Sequence, residues 1–278
     1  MKRAVFIMAS VMCGLLFQLG LSQADSVFIV DTAVADAFLV AGTPSNTPPC
    51  NAGCADLNFG GAGTLAIAPA SSPKGQFDSV VQWNTAGAVT QFNNALGVGN
   101  WQITNIALNL ASNFGDANEQ PNNAIFNTIH TGQFNVQWIS NNSWIEGTGS
   151  GMGTPPGNPP SVTFGNRNTT IFTNTTTTAP VGTFTYIPPG DNIYRSYSLA
   201  LDPNLTNDVL AGSLTSLYFT AADDQIGYLF NAKSFAQNHP QFIITAAPVP
   251  VPAAMWLFGS GVVGLAGIAR RNMTRTAA

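Results

Sequence analysis

Apolar and polar positions alternate with a period of two along much of this chain, the pattern of half-buried strands. Ile106, Leu108 and Leu110 alternate with Asn105, Ala107 and Asn109, and Phe134, Val136 and Trp138 alternate with Gln133, Asn135 and Gln137. Each segment therefore offers one face to a core and one to water. Shorter runs of the same kind lie at Ser26–Val30, Thr64–Ala68, Asp78–Trp83, Gly182–Ile187, Ser196–Leu201, Leu214–Thr220, Ile226–Phe230 and Phe242–Thr245, with Gly, Pro and Asn between them. About ten strands in one body predict an all-β fold, an antiparallel β-sandwich. Only Asn204–Ala211 has helical spacing, with Leu205 and Val209 on one face, Asp202 near the cap position and Gly212 as the stop. It predicts a short crossover helix. Two stretches lack a core pattern: Gly147–Pro160, rich in Gly and Pro, predicts an irregular loop, and the Thr-rich Asn166–Pro180 predicts a solvated loop, an exposed edge strand or an O-glycosylated segment.

The two ends of the chain have a different character. Lys2 and Arg3 precede an apolar stretch from Ala4 to Leu21, and Ser22-Gln23-Ala24 has the small-x-small form of a signal-peptidase site. Residues 1–24 are therefore expected to be a signal peptide, with the mature chain starting at Asp25. Met12 is too large for the position before a lipoprotein cysteine, so Cys13 is not expected to carry lipid. At the other end, Val249-Pro250-Val251-Pro252 leads into an uncharged run of 17 residues, 253–269, that includes Trp256, and then into Arg270 and Arg271, with Arg275 beyond. That run reaches the lower limit for a transmembrane helix, and the arginines would hold its end on the cytoplasmic side. The combination resembles the C-terminal sorting signal of PEP-CTERM proteins of Gram-negative bacteria, with Pro250-Val251-Pro252 in place of the usual Pro-Glu-Pro. The resemblance implies an exosortase as processing partner, a transient stay in the inner membrane, and a final place at the cell surface or in the extracellular matrix. Three regions follow: signal peptide 1–24, β-sandwich body 25–247 and sorting signal 248–278.

Removing both ends changes the charge that has to be explained. The whole chain carries 9 basic and 13 acidic residues, but only Lys74, Arg167, Arg195 and Lys233 of the basic ones belong to the body, which holds every acidic residue and has a net charge of −9. No basic cluster exists there to bind a phosphate backbone, which excludes nucleic acid as a partner and leaves neutral sugars open. Charged residues are only 8% of the chain, so its polar surface must consist mainly of amides and hydroxyls. Cys50 and Cys54, separated by Asn51-Ala52-Gly53, are suited to a small disulfide loop in an oxidising compartment. No third soft ligand accompanies them for a metal.

The stretch Trp138-Ile139-Ser140-Asn141-Asn142-Ser143-Trp144-Ile145-Glu146-Gly147-Thr148-Gly149, followed by Val162-Thr163-Phe164, resembles DNRLRE-type domains of bacterial surface proteins. The family carries a strand, a Trp-x-Glu-Gly element and a Gly/Pro-rich loop in this order, and Asn231-Ala232-Lys233-Ser234 stands where it usually has Ser-Arg-Glu. The resemblance implies a jelly-roll sandwich related to carbohydrate-binding modules. Trp144, out of strand register and beside a polar loop, is expected to be exposed and, with Glu146, to form the candidate glycan contact. Glu146 is expected to bind turn amides rather than act as an acid. Asp223-Asp224, adjacent carboxylates at a turn, are candidate Ca2+ ligands beside the alternative of a solvated acidic turn. No nucleophile motif is present, and His130 and His239 are expected to be structural. The leading expectation is a non-enzymatic exported protein associated with exopolysaccharide or biofilm matrix. The alternatives are a secreted polysaccharide-degrading enzyme, which would need two carboxylates facing one groove, and a ligand-free surface spacer.

Overall fold

The computed structural model describes residues 24–42, 53–113, 126, 131–188 and 192–249. Eleven strands run through them: β1 (Ser26–Val30), β2 (Ala35–Val40), β3 (Thr64–Ile67), β4 (Phe77–Asn84), β5 (Trp101–Ala111), β6 (Gly132–Ile139), β7 (Thr178–Tyr186), β8 (Tyr194–Leu199), β9 (Leu214–Ala221), β10 (Tyr228–Asn231) and β11 (Gln241–Pro248). Helices are α1 (Ala88–Leu96), α2 (Arg167–Thr170) and α3 (Pro203–Ala211). One sheet has the order β1-β11-β5-β8, a second the order β2-β4-β9-β6-β7, and β10 pairs with β3 as a separate ribbon. Every pairing between these strands is antiparallel. The described residues are thus mostly β, in antiparallel sheets, as the alternation predicted.

The sheets meet through the alternating residues. On β11, Phe242, Ile244 and Ala246 are buried while the residues between them are partly exposed, and on β5 Ile106, Leu108 and Leu110 face the same core. Across the gap, Trp83 of β4 stacks on Phe242 at 5.4 Å and its indole N–H donates to the Pro240 carbonyl at 3.0 Å. Phe134 of β6 meets Tyr197 of β8 edge to face at 5.2 Å. Trp83 is fully buried, so it carries both the apolar contact and the hydrogen bond that a buried indole requires.

Helix α3 ends where its sequence signals fall. The Asp202 carboxylate accepts from the N–H groups of Asn204 and Leu205, Pro203 opens the helix, and Gly212 closes it at φ 61°. Leu205 and Val209 turn inward. Two elements escaped the sequence reading. Helix α1 is rich in Thr and Asn, poor helix formers, and is held by Phe92, which packs on Trp101 at 5.1 Å. Strand β2 lacks a clean alternation because Ala37 and Leu39 face one core and Phe38 and Val40 another. The segment Asn166–Pro180 is neither wholly loop nor wholly strand: it makes α2, then a turn in which Thr176 Oγ1 donates to the Ile171 carbonyl, then the start of β7. That strand is an edge of its sheet.

Replacing Asp202 by Ala should destabilise the protein by about 1 kcal/mol, the usual worth of an N-cap. Urea unfolding of the two forms measures it, and an unchanged midpoint would mean that the cap is idle.

Candidate functional site

Between β6 and β7 the chain runs back over the outer face of the five-stranded sheet. Trp144, Val162 and Ile171 of this stretch form a second core with Ala37, Leu39, Val80, Ile139 and Tyr218, and Phe164 and Phe172 pack against it. Trp144 is therefore only 6% exposed, contrary to the expectation of an exposed sugar platform. Its indole N–H donates to Ser216 Oγ at 3.1 Å, which in turn donates to Asn142 Oδ1 at 2.6 Å. Alternation stops at Ile139, and an apolar sheet face beneath attracts the next large ring. Trp83 and Trp138 are buried too, and Trp101 is half-buried with its N–H on Asn93 Oδ1. Trp83, Trp138 and Trp144 therefore offer no exposed face for stacking on a sugar ring.

Asn58, itself buried, fixes the turn after Trp144. Its amide nitrogen donates to the carbonyls of Glu146 and Val162, and its Oδ1 accepts from the N–H groups of Gly60 and Gly149. A side chain at Gly149 would run into the Asn58 backbone, and Gly147 has φ +79°, which explains the Glu-Gly-Thr-Gly spelling of this element by close approach and a left-handed turn.

Beside that turn three charged groups converge. Glu146 Oε2 lies 2.6 Å from Lys233 Nζ, and Oε1 accepts from the Asp36 N–H at 3.3 Å. The partners of Glu146 are thus an amide of β2 and a lysine rather than the expected amides of its own turn. Lys233 also donates from its backbone N–H to Asp36 Oδ2 at 2.6 Å, and from Nζ to the Val34 carbonyl at 2.9 Å. Asp36 is fully buried, and its Oδ1 makes no hydrogen bond of ordinary geometry. Burial pushes the Asp36 carboxyl up to about 7, and the neighbouring Glu146 charge adds to the rise, while the Lys233 N–H opposes it. Burial also raises Glu146, against the pull of Lys233 and of the Asp36 amide. Both carboxyls are thus raised, and they lie close enough to share a proton, the rise being marked at Asp36.

On the same covering stretch lies an open cleft of about 690 Å³, lined by Ser140, Asn141, Asn142, Ser143, Thr173, Thr175 and Thr176. The amides are largely engaged: Asn141 Nδ2 donates to the Thr170 and Ile171 carbonyls, and Asn142 Nδ2 to the Leu214 carbonyl. Ser143 and Thr175 are exposed; Ser143 Oγ donates to Asn141 Oδ1 at 2.8 Å, and Thr175 Oγ1 lies 3.1 Å from Thr173 Oγ1. The lining carries no carboxylate and no imidazole, so it supplies neutral hydrogen bonding and no acid or base. No sequence signal marked it, because Ser140–Ser143 and Thr173–Thr176 are separated along the chain and meet only through the turn after α2.

The other expected site residues are more scattered. Asp223 accepts from the N–H groups of Gln133, Gln225 and Ile226, and Asp224 from Ser71 Oγ. Asp223 Oδ1 thus serves its own turn and Oδ2 ties that turn to β6, and among the described residues no group of three or more His, Cys, Asp or Glu is placed to hold a metal. His239 lies 2.7 Å from the Phe235 carbonyl through Nε2, a structural contact. Cys54 is buried and disulfide-bonded. Cys50, His130, the signal peptide up to Gln23, and Pro250, Val251, Pro252, Trp256, Arg270 and Arg271 lie outside the described residues. No helix among the described residues is long and apolar enough to cross a membrane, and the 253–269 run lies beyond them. The chain matches no family model and no curated protein.

Trp144→Ala should cost about 3–5 kcal/mol, as expected for a buried indole. Denaturant unfolding reads this directly, and a loss below about 1 kcal/mol, in the range of a surface change, would return Trp144 to the surface.

Proposed function

We propose that this is an exported, non-enzymatic protein, cut at both ends by a signal peptidase and an exosortase, that associates outside a Gram-negative cell with exopolysaccharide or biofilm matrix. The observation that carries the reading is the arrangement of the two ends around the body. A basic-then-apolar start precedes β1, and Val249-Pro250-Val251-Pro252, the apolar run and Arg270-Arg271 follow β11 directly. Because β11 ends at Pro248, cleavage beyond it would leave the sheets whole.

The jelly-roll reading is supported by strand order. With β2 set aside as an added edge and β3 and β10 as a ribbon, the remaining eight strands fall into β1-β11-β5-β8 facing β4-β9-β6-β7. In that order first pairs with last in one sheet and second with next-to-last in the other, as two interleaved Greek keys require. A disulfide at Cys54 suits an oxidising compartment. The cleft of Ser140, Ser143, Thr173 and Thr175 suits a neutral, hydroxyl-rich ligand held weakly through hydrogen bonds and bridging water, and its lack of a carboxylate favours retention over hydrolysis.

Two measurements test the proposal on the protein secreted by its host. Intact mass should correspond to a chain lacking the first 24 residues and the tail beyond the Val249–Pro252 region. On a panel of neutral polysaccharides it should be retarded without releasing sugar, and a Ser143→Ala, Thr175→Val double variant should lose most of the retardation at unchanged thermal midpoint. An intact tail overturns the sorting reading, release of sugar replaces it by the hydrolase, and absence of any retardation leaves the spacer.

A further inference from the structure

Asp36, Glu146 and Lys233 come from three distant parts of the fold: edge strand β2, the cover over the five-stranded sheet, and the residues just after β10. We propose that they are a self-condensing cross-link site, in which Lys233 Nζ forms an amide with the Asp36 side-chain carbon and Glu146 carries the proton.

An amine and a carboxylic acid do not condense in water at ordinary temperature, because both are ionised and solvent competes. Here position lowers each obstacle. Asp36 is fully buried, which keeps water from its carboxyl and, by pushing it up to about 7, keeps a large share of it as the neutral acid, the electrophilic form, near neutral pH, while Lys233 and Glu146 approach it from the partly exposed side. Glu146 Oε2, at 2.6 Å from Nζ, is placed to take a proton from the ammonium and free its lone pair. The Lys233 backbone N–H, already on Asp36 Oδ2 at 2.6 Å, is a fixed donor to the oxygen on which negative charge builds as the carbon is attacked. Nζ on the Glu146 carboxylate and the Val34 carbonyl, and the Asp36 carboxyl on the Lys233 backbone N–H, hold both reacting groups in one site in place of a collision.

The atoms balance without a cofactor. The Nζ–Cγ bond forms, Oδ2 becomes the amide oxygen, and the bond from Cγ to Oδ1, the oxygen with no hydrogen bond of ordinary geometry, breaks. Glu146 passes the first ammonium proton to that departing hydroxyl and takes the second as the attacking nitrogen becomes an amide, so one water leaves and Glu146 ends as the neutral acid. Nothing is oxidised or reduced. The product would tie β2 to the chain beyond β10 across 197 residues of sequence, a clasp that denaturant does not open. The proposal is independent of the glycan reading, since it needs only the fold.

Peptide mapping of the full secreted protein under denaturing, reducing conditions tests it. The expected result is a branched peptide holding Asp36 and Lys233 with a mass one water below the sum of its parts, lost in Lys233→Arg and strongly reduced in Glu146→Gln, which keeps both reacting partners. Recovery of the Asp36 and Lys233 peptides only as separate species from folded wild-type protein overturns the proposal, whatever the variants do. A branched peptide formed to the same extent in Glu146→Gln overturns the role given to Glu146.

Discussion

On a sheet buried on both faces a polar side chain without a partner is costly, and β4 and β9 supply partners at most such positions, the buried Thr215 hydroxyl of β9 being left without one among the described residues. Between Phe77 and Trp83 each residue of β4 is buried. Phe77, Val81 and Trp83 face the opposite sheet, and Val80 faces the cover. Asp78, Ser79 and Gln82 would each be costly there without a hydrogen bond. Tyr218 Oη donates to Asp78 at 2.7 Å, Ser79 Oγ donates to the Ala66 carbonyl, and Gln82 donates to Ser216 Oγ and the Asn142 carbonyl. The covering stretch is therefore more than a lid of apolar side chains. It supplies Asn142 to a buried polar network, and Asn58 in turn fixes the Glu146–Gly149 turn that starts its return path.

Reading the sequence alone recovers the elements whose environment is one-sided. Strands β5, β6 and β11 have a core face and a wet face, so their alternation is plain, and α3 shows its cap and stop because Asp202 and Gly212 act through local backbone geometry. Double burial hides β2, whose residues are apolar on both sides, and it misleads at Asp78 and Gln82, which look solvent-facing yet lie under the cover. Trp144 illustrates the same limit. Nothing near it in sequence reveals that Leu39, Val80 and Tyr218 leave an apolar face waiting for a ring. The polar cleft and the Asp36–Glu146–Lys233 group were illegible for a related reason: their members are brought together by tertiary return of the chain, with separations of 110 and 197 residues in the second case.

The scarcity of positive charge gains a physical meaning once the basic residues are located. Arg167 lies over the Phe164 ring at 3.5 Å and donates to the Phe164 carbonyl, Arg195 donates to Ser112 Oγ and sits over Tyr186, and Lys233 is paired with Glu146. Three of the four cations of the body are thus partly buried in local contacts. The surface is dominated by carboxylates, amides and hydroxyls, which repel phosphate-rich polymers and meet neutral hydroxylic ones without an electrostatic barrier. That distribution agrees with the proposed matrix role and with the neutral lining of the cleft.

The buried carboxyl of Asp36 is the least economical feature of this arrangement as it stands. A fully buried acid whose Oδ1 lacks an ordinary hydrogen bond costs free energy, and a partly buried ion pair beside it returns little against its own desolvation. An apolar residue at this position of β2 would suit the neighbouring Phe38 and Val40 better. Condensation removes the difficulty at its source: Oδ1 leaves as water, Oδ2 keeps the Lys233 N–H, and a charged amine and an acid become one neutral amide. Glu146 would then hold the amide N–H in place of the ammonium. The costs that make Asp36 a poor structural residue are those that make it a good electrophile, and this is why the cluster is read as chemistry rather than as a salt bridge.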